Sequence, residues 1–118
     1  MTNENKQLLL IDLCGRLLHK TYIEIVDEDG NVYDEVELEP QHINTARYDE
    51  SISIRPYLRS MSSMTEEKWA EYEDMCDSFR GEEFYELIDW LNEHHFDYRG
   101  LIEKGLALEA PKDMYSIK

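Results

Sequence analysis

Asp27-Glu28-Asp29-Gly30-Asn31 places oxygen-bearing side chains at positions 1, 3 and 5 of a would-be calcium loop, the arrangement a hard cation requires. The rest of such a loop is missing. Val32 stands where a glycine must turn the chain, Leu38 where a bidentate glutamate must close the site, and the flanks alternate as strands do. A polar hairpin turn is expected there, without a metal. His94-His95-Phe96-Asp97 brings two imidazoles near a carboxylate, a grouping that can ligate zinc or move protons. Neighbouring helical residues point about 100° apart, so both rings face one metal only if the helix ends between them. No Cys-x-x-Cys, His-Glu-x-x-His or Glu-x-x-His completes a ligand set. The expected role of His94 and His95 is to sit at the negative end of a helix.

Nucleophiles and acid–base pairs are no better marked. Cys14 and Cys76 are far apart in the chain. Cys76 shares a helical stripe with Trp69, Tyr72 and Phe79, which predicts a buried, inert thiol. Paired carboxylates could be drawn from many of the 27 Asp and Glu, but composition alone generates such pairs and none is singled out. Gly-x-Ser-x-Gly, phosphate-loop and dinucleotide fingerprints are all missing. The sequence therefore assigns no catalytic, metal or cofactor residue, and the chain is expected not to be an enzyme. Among its aromatics, Tyr85, Trp90 and Tyr98 fit the amphipathic patterns least well and form the candidate interaction surface.

Charge excludes more than it identifies. The 118 residues carry 12 Lys plus Arg against 27 Asp plus Glu, a formal charge of −15. A protein that binds nucleic acid directly must cluster cations against phosphates, and anionic membrane surfaces make the same demand. Both partners are disfavoured, and the expected partner is a protein. The excess is localised: residues 24–50 hold ten acids against Arg47 alone, and residues 66–93 hold eleven against Lys68 and Arg80. In both blocks acids interleave with apolar residues at structured periods, so they read as faces of folded elements rather than disordered tails. The longest apolar run, Leu8 to Ile11, is far short of a membrane span or a signal-peptide core, and the expected location is cytoplasmic.

The elements that must position these groups are visible as periods. Residues 4–18 read as a helix capped by Asn3 or Asn5, with Leu10, Leu13, Cys14 and Leu17 as its stripe and Gly15 as a close approach or a weak spot. From Tyr22 the period becomes two. Tyr22 to Val26 and Val32 to Glu39 form a hairpin ended by Pro40, with Val32, Val36 and Leu38 on one face. A third strand is predicted over 51–54 and a weaker one over 42–47, followed by a connection from Arg55 to Ser63 around Pro56. Ser63 and Glu66 fit a capping box opening a helix that runs to about Arg80, where Gly81 breaks it. Phe84, Leu87, Ile88 and Leu91 mark a second helix over 82–93. The expected fold is one α+β domain: an N-terminal helix, a small antiparallel sheet of three or four strands, curled towards a barrel in one variant, and a C-terminal helical hairpin.

Two stretches, Arg55-Pro56-Tyr57-Leu58-Arg59 through Glu67 and Asp89-Trp90-Leu91-Asn92 through Pro111, together with the leucine-rich opening, resemble small uncharacterised proteins of gut-bacterial prophages and related mobile elements. They cover about half of the chain, and residues 20–50 do not share the likeness. That family has no established activity, so the resemblance carries over no functional residue. It implies a bacterial, cytosolic setting and a role outside housekeeping. The expected function is that of a small acidic accessory protein acting through protein contacts; the alternative is an inhibitor that mimics nucleic acid, which needs its two acidic blocks to form one continuous row of carboxylates.

Overall fold

The computed structural model describes residues 2–77 and 83–115. Helix α1 (Asn3–Arg16) begins at Thr2, whose hydroxyl accepts the Asn5 amide at 3.1 Å, so Thr2 supplies the cap instead of Asn3 or Asn5. Its buried face is Leu9, Asp12, Leu13 and Arg16. This i, i+3, i+4, i+7 set is rotated from the all-apolar stripe the sequence suggests. Asp12 and Arg16 pair with each other in the interior, with Arg16 Nη1 left without a hydrogen-bond partner, and Ile11, Cys14 and Leu18 face outward. Gly15 is a close approach: a Cβ there would meet the Asn92 side-chain nitrogen at 3.2 Å.

The hairpin forms as expected from β1 (Tyr22–Val26) and β2 (Val32–Glu37), antiparallel, with an irregularity between Ile25 and Val26. One Asp27 carboxylate oxygen accepts the amides of Asp29 and Asn31 at 3.0 and 2.9 Å, and Gly30 takes φ +85. That oxygen organises the turn, as a polar hairpin requires. Leu38, just past β2, is buried.

Residues 42–47 are not a strand. They belong to helix α2 (Pro40–Tyr48), because Pro40 suits the first helical turn and the Glu39 and His42 side chains cap each other's backbone amides. Strand β3 (Ser53–Ser60) runs through the segment expected to be a connection. Pro56 is accommodated within it opposite Ile23. A 3₁₀ turn at Met61–Ser63 leads to α3 (Glu66–Asp77), capped by Thr65 rather than Ser63, since the Thr65 hydroxyl accepts the Lys68 amide at 3.2 Å. Helix α4 is Glu83–Glu93. The expected end of α3 near Arg80, the break at Gly81 and the side chains of Phe79 and Phe84 lie outside what is described.

Two short strands complete the sheet: β4 (Phe96–Asp97) and β5 (Leu108–Glu109), each parallel to the C-terminal half of β3. The sheet order is β2-β1-β3-β4, with β5 also on β3. The fold is therefore α+β, as the periods indicate, but the five strands among the described residues form a mixed sheet that does not close into a barrel. Its parallel pairs join Arg59 to Phe96 and Tyr57 to Leu108, beyond the reach of a tight turn.

The main core is one layer, with Ile23, Ile54 and Leu58 of the sheet packed on Leu9 and Leu13 of α1 and sealed by Leu38, Leu101 and Leu106. A second cluster, Leu87, Leu91 and Phe96, holds the α3–α4 pair against the end of the sheet with Met61, Met64, Tyr72 and Trp90 around it. The thiol of Cys76 is exposed rather than buried, because α3 places no described residue fully inside.

Candidate functional site

Strand alternation gives the sheet a second face. Ile23, Ile54, Pro56 and Leu58 turn towards α1 and are buried. Glu24, Arg55 and Glu35 therefore share the opposite face, and the register sets Glu24 between them, across from Glu35 on β2 and Arg55 on β3. Glu24 is only 6% exposed, and its Oε2 lies 3.4 Å from Arg55 Nη2. Neither that oxygen nor Arg55 Nε has a hydrogen-bond partner, so the pair is incompletely satisfied. Tyr57 stands beside them; burial first, then the Glu35 and Glu24 carboxylates, hold its hydroxyl pKa above the usual phenol value.

Strand β2 is the rim of this face. Among the described residues it pairs only with β1, leaving its other backbone edge without a strand partner. Val32, Tyr33, Asp34, Glu35 and Glu37 are all exposed, Tyr33 at 74%.

A second polar group is enclosed between α1 and the C-terminal segment. Arg16 Nε and Nη2 bind both oxygens of Asp12 at 3.0 and 3.1 Å, and Nη2 also donates to the Phe96 carbonyl at 2.7 Å. Arg99 adds a second cation on Asp12 at 3.2 Å. Tyr98 lies under both guanidiniums, 5.2 and 4.8 Å from its ring centre, and donates its hydroxyl to Asn92. This network joins α1 to α4 and β4, with Asp12 and Arg16 wholly inside; its geometry is that of a structural clamp.

The histidines diverge. The carbonyl partner of each ring fixes which nitrogen donates: His94 gives Nδ1–H to Trp90 O at 2.8 Å, and His95 gives Nε2–H to His19 O at 2.6 Å. His95 takes φ +63, which ends α4 and turns the second ring away from the first. It stacks on Tyr115 at 3.7 Å, and burial lowers its pKa to about 4. Tyr115 in turn accepts the Tyr22 amide at 2.9 Å and donates to the Tyr57 carbonyl at 2.6 Å, so its hydroxyl bridges β1 and β3 just beyond their last backbone pair. Burial raises the pKa of that hydroxyl.

Of the three aromatics marked by the sequence, Trp90 and Tyr98 pack against the same Leu87, Leu91 and Phe96 cluster. Tyr85 is 73% exposed on the first half of α4. Trp90 is half-buried in an aromatic column, between Tyr72 at 6.4 Å and His94 at 4.5 Å. Tyr98 belongs to the arginine clamp. The residues that sequence reasoning missed are Glu24, Glu35 and Arg55. The period-two pattern puts the two glutamates on one face, but pairing with Arg55 requires the register of β3.

The acidic blocks are also separated. The hairpin occupies the β2 side of the sheet and the α3–α4 pair packs beside β4, with Arg55 and Arg59 on the strand between them. No group of three or more His, Cys, Asp or Glu among the described residues could hold a metal ion, and no described helix is long and apolar enough to cross a membrane. Comparison with protein-family models, with curated proteins and with solved structures finds no match in any of the three.

Proposed function

We propose that this chain is a small non-enzymatic accessory protein of a bacterial mobile element that works by binding another protein. The observation that carries the reading is the exposed rim of the sheet, where Val32 and Tyr33 present apolar surface on a strand with no second neighbour among the described residues. An open strand edge is a template for pairing, and exposed apolar side chains beside it mark an interaction surface. The sequence likeness to prophage proteins supports the mobile-element setting. Nucleic-acid mimicry is less well supported, because a mimic needs its carboxylates in one row and here arginines divide two flanks.

A photo-crosslinking residue placed at Tyr33, Leu18 or Tyr85 in turn, in cells of the native host, tests the reading. It predicts a discrete protein adduct from at least one position. Adducts from none, or substrate turnover by the purified chain that a single substitution abolishes, would overturn it.

A further inference from the structure

The open edge of β2 has a chemistry of its own, and its charge narrows what can occupy it. Its outer-side backbone groups, apart from the Glu35 amide that Asp34 Oδ1 accepts at 2.9 Å, form a template for one more strand. Period two puts Tyr33, Glu35 and Glu37 on the outer face of the sheet, continuous across β1 with Glu24. A second copy of this chain is a poor occupant, because β2 against β2 would set Asp34, Glu35 and Glu37 among like charges. A neutral strand would leave the same carboxylates uncompensated. A cationic strand would meet charges of opposite sign across the pair.

Inward of this edge Glu24 is already engaged: its Oε2 is buried and lies 3.4 Å from Arg55 Nη2 on the β3 side. The carboxylates that an added strand meets are therefore those of β2 itself, the exposed Asp34, Glu35 and Glu37.

We propose that β2 is the docking edge for an extended, lysine- or arginine-rich segment of a partner protein, which adds as a further strand and directs every second side chain over Glu35 and Glu37. This rests on the protein-binding reading above and names its mode and partner chemistry. The acids that deter self-association thereby become the selectivity device: they repel this chain's own edge and attract a basic one.

The test uses the full chain and a seven-residue peptide of alternating lysine and valine, with two comparison peptides: one of the same composition N-methylated at alternate backbone nitrogens, the other with glutamate in place of lysine. Fluorescence anisotropy at low salt should show binding of the lysine peptide, at least tenfold weaker binding of the N-methylated one, and none of the glutamate one. Amides of β2 should gain hydrogen-exchange protection on binding. Glu35→Gln with Glu37→Gln should weaken binding about tenfold, whereas Glu86→Gln with Glu93→Gln on α4, the same change in net charge, should leave it unaltered. Equal affinity for the plain and N-methylated peptides, equal effects of the two double variants, or no binding of the lysine peptide would each overturn the proposal. Crosslinks from Leu18 or Tyr85 but not from Tyr33 would sink this docking mode while leaving the protein-binding reading standing.

Discussion

The sheet with α1 and the α3–α4 pair are two regions of similar sequence character and different construction. Both carry amphipathic helices and many acids. Among the described residues, nine apolar side chains are buried under the sheet and an ion pair is held there at zero exposure, whereas beside β4 the buried set is Leu87, Leu91 and Phe96, with none from α3. The difference shows that amphipathic periodicity does not set how much of a helix face is buried. Burial depth depends on what the rest of the chain brings to that side.

The largest break in this comparison should come from Arg16→Met. It leaves Asp12 buried with Arg99 as its remaining cation, and a loss of about 3–5 kcal/mol in urea unfolding is expected. The double variant Asp12→Leu with Arg16→Met should lose less than the single one, because no buried carboxylate is left with only the partly exposed Arg99 to compensate it. A larger loss in the double variant would mean that the pair contributes more than mutual neutralisation.

Tyr115→Phe should have an intermediate effect. It removes the hydroxyl that joins the Tyr22 amide to the Tyr57 carbonyl, at about 1–3 kcal/mol, with faster exchange of the Tyr22 amide as the local readout. The His95 ring stacked on Tyr115 adds a pH dependence. Its pKa is lowered from 6.5 to about 4, so the unfolded chain binds the proton more readily than the folded one. The contribution of the neutral ring is complete above about pH 6.5 and is lost as pH falls through that value towards 4. His95→Gln should flatten that portion of the stability curve; an unchanged slope would show that carboxylates alone set it.

The smallest effect is expected in the helical pair. Trp69 is 43% exposed with its ring nitrogen on Glu73, and Trp69→Ala should cost about 1 kcal/mol or less. A cost comparable to a core truncation would show that α3 belongs to the same cooperative unit as the sheet.

Helix α1, the β1–β2 hairpin and α4 were legible because each rests on a period shorter than ten residues and on turn chemistry, such as Asp27 with Gly30, that acts within the turn. Residues 42–47 misled because Pro40, which ends a strand, equally begins a helix. Strand β3 was cut short because Pro56 reads as a break when no neighbours are in view. The candidate site was less legible. Tyr85, Trp90 and Tyr98 stand out as misfits of local periodicity, and two of the three are engaged by tertiary packing: Trp90 in its aromatic column, Tyr98 beneath two arginines.

By itself the sequence determined the α+β class, the polar turn, the localisation of charge in two structured blocks and the cation-poor surface, since these follow from composition and near-neighbour spacing. Only the tertiary structure decided that Asp12 and Arg16 lie inside, that Glu24 meets Arg55, that β4 and β5 run parallel to β3, and that the acidic blocks occupy separate flanks. Arg16 reaches the carbonyl of a residue 80 positions away and Tyr115 a carbonyl 58 positions away. Contacts at that separation leave no period in the chain, because they are set by which elements the core brings together.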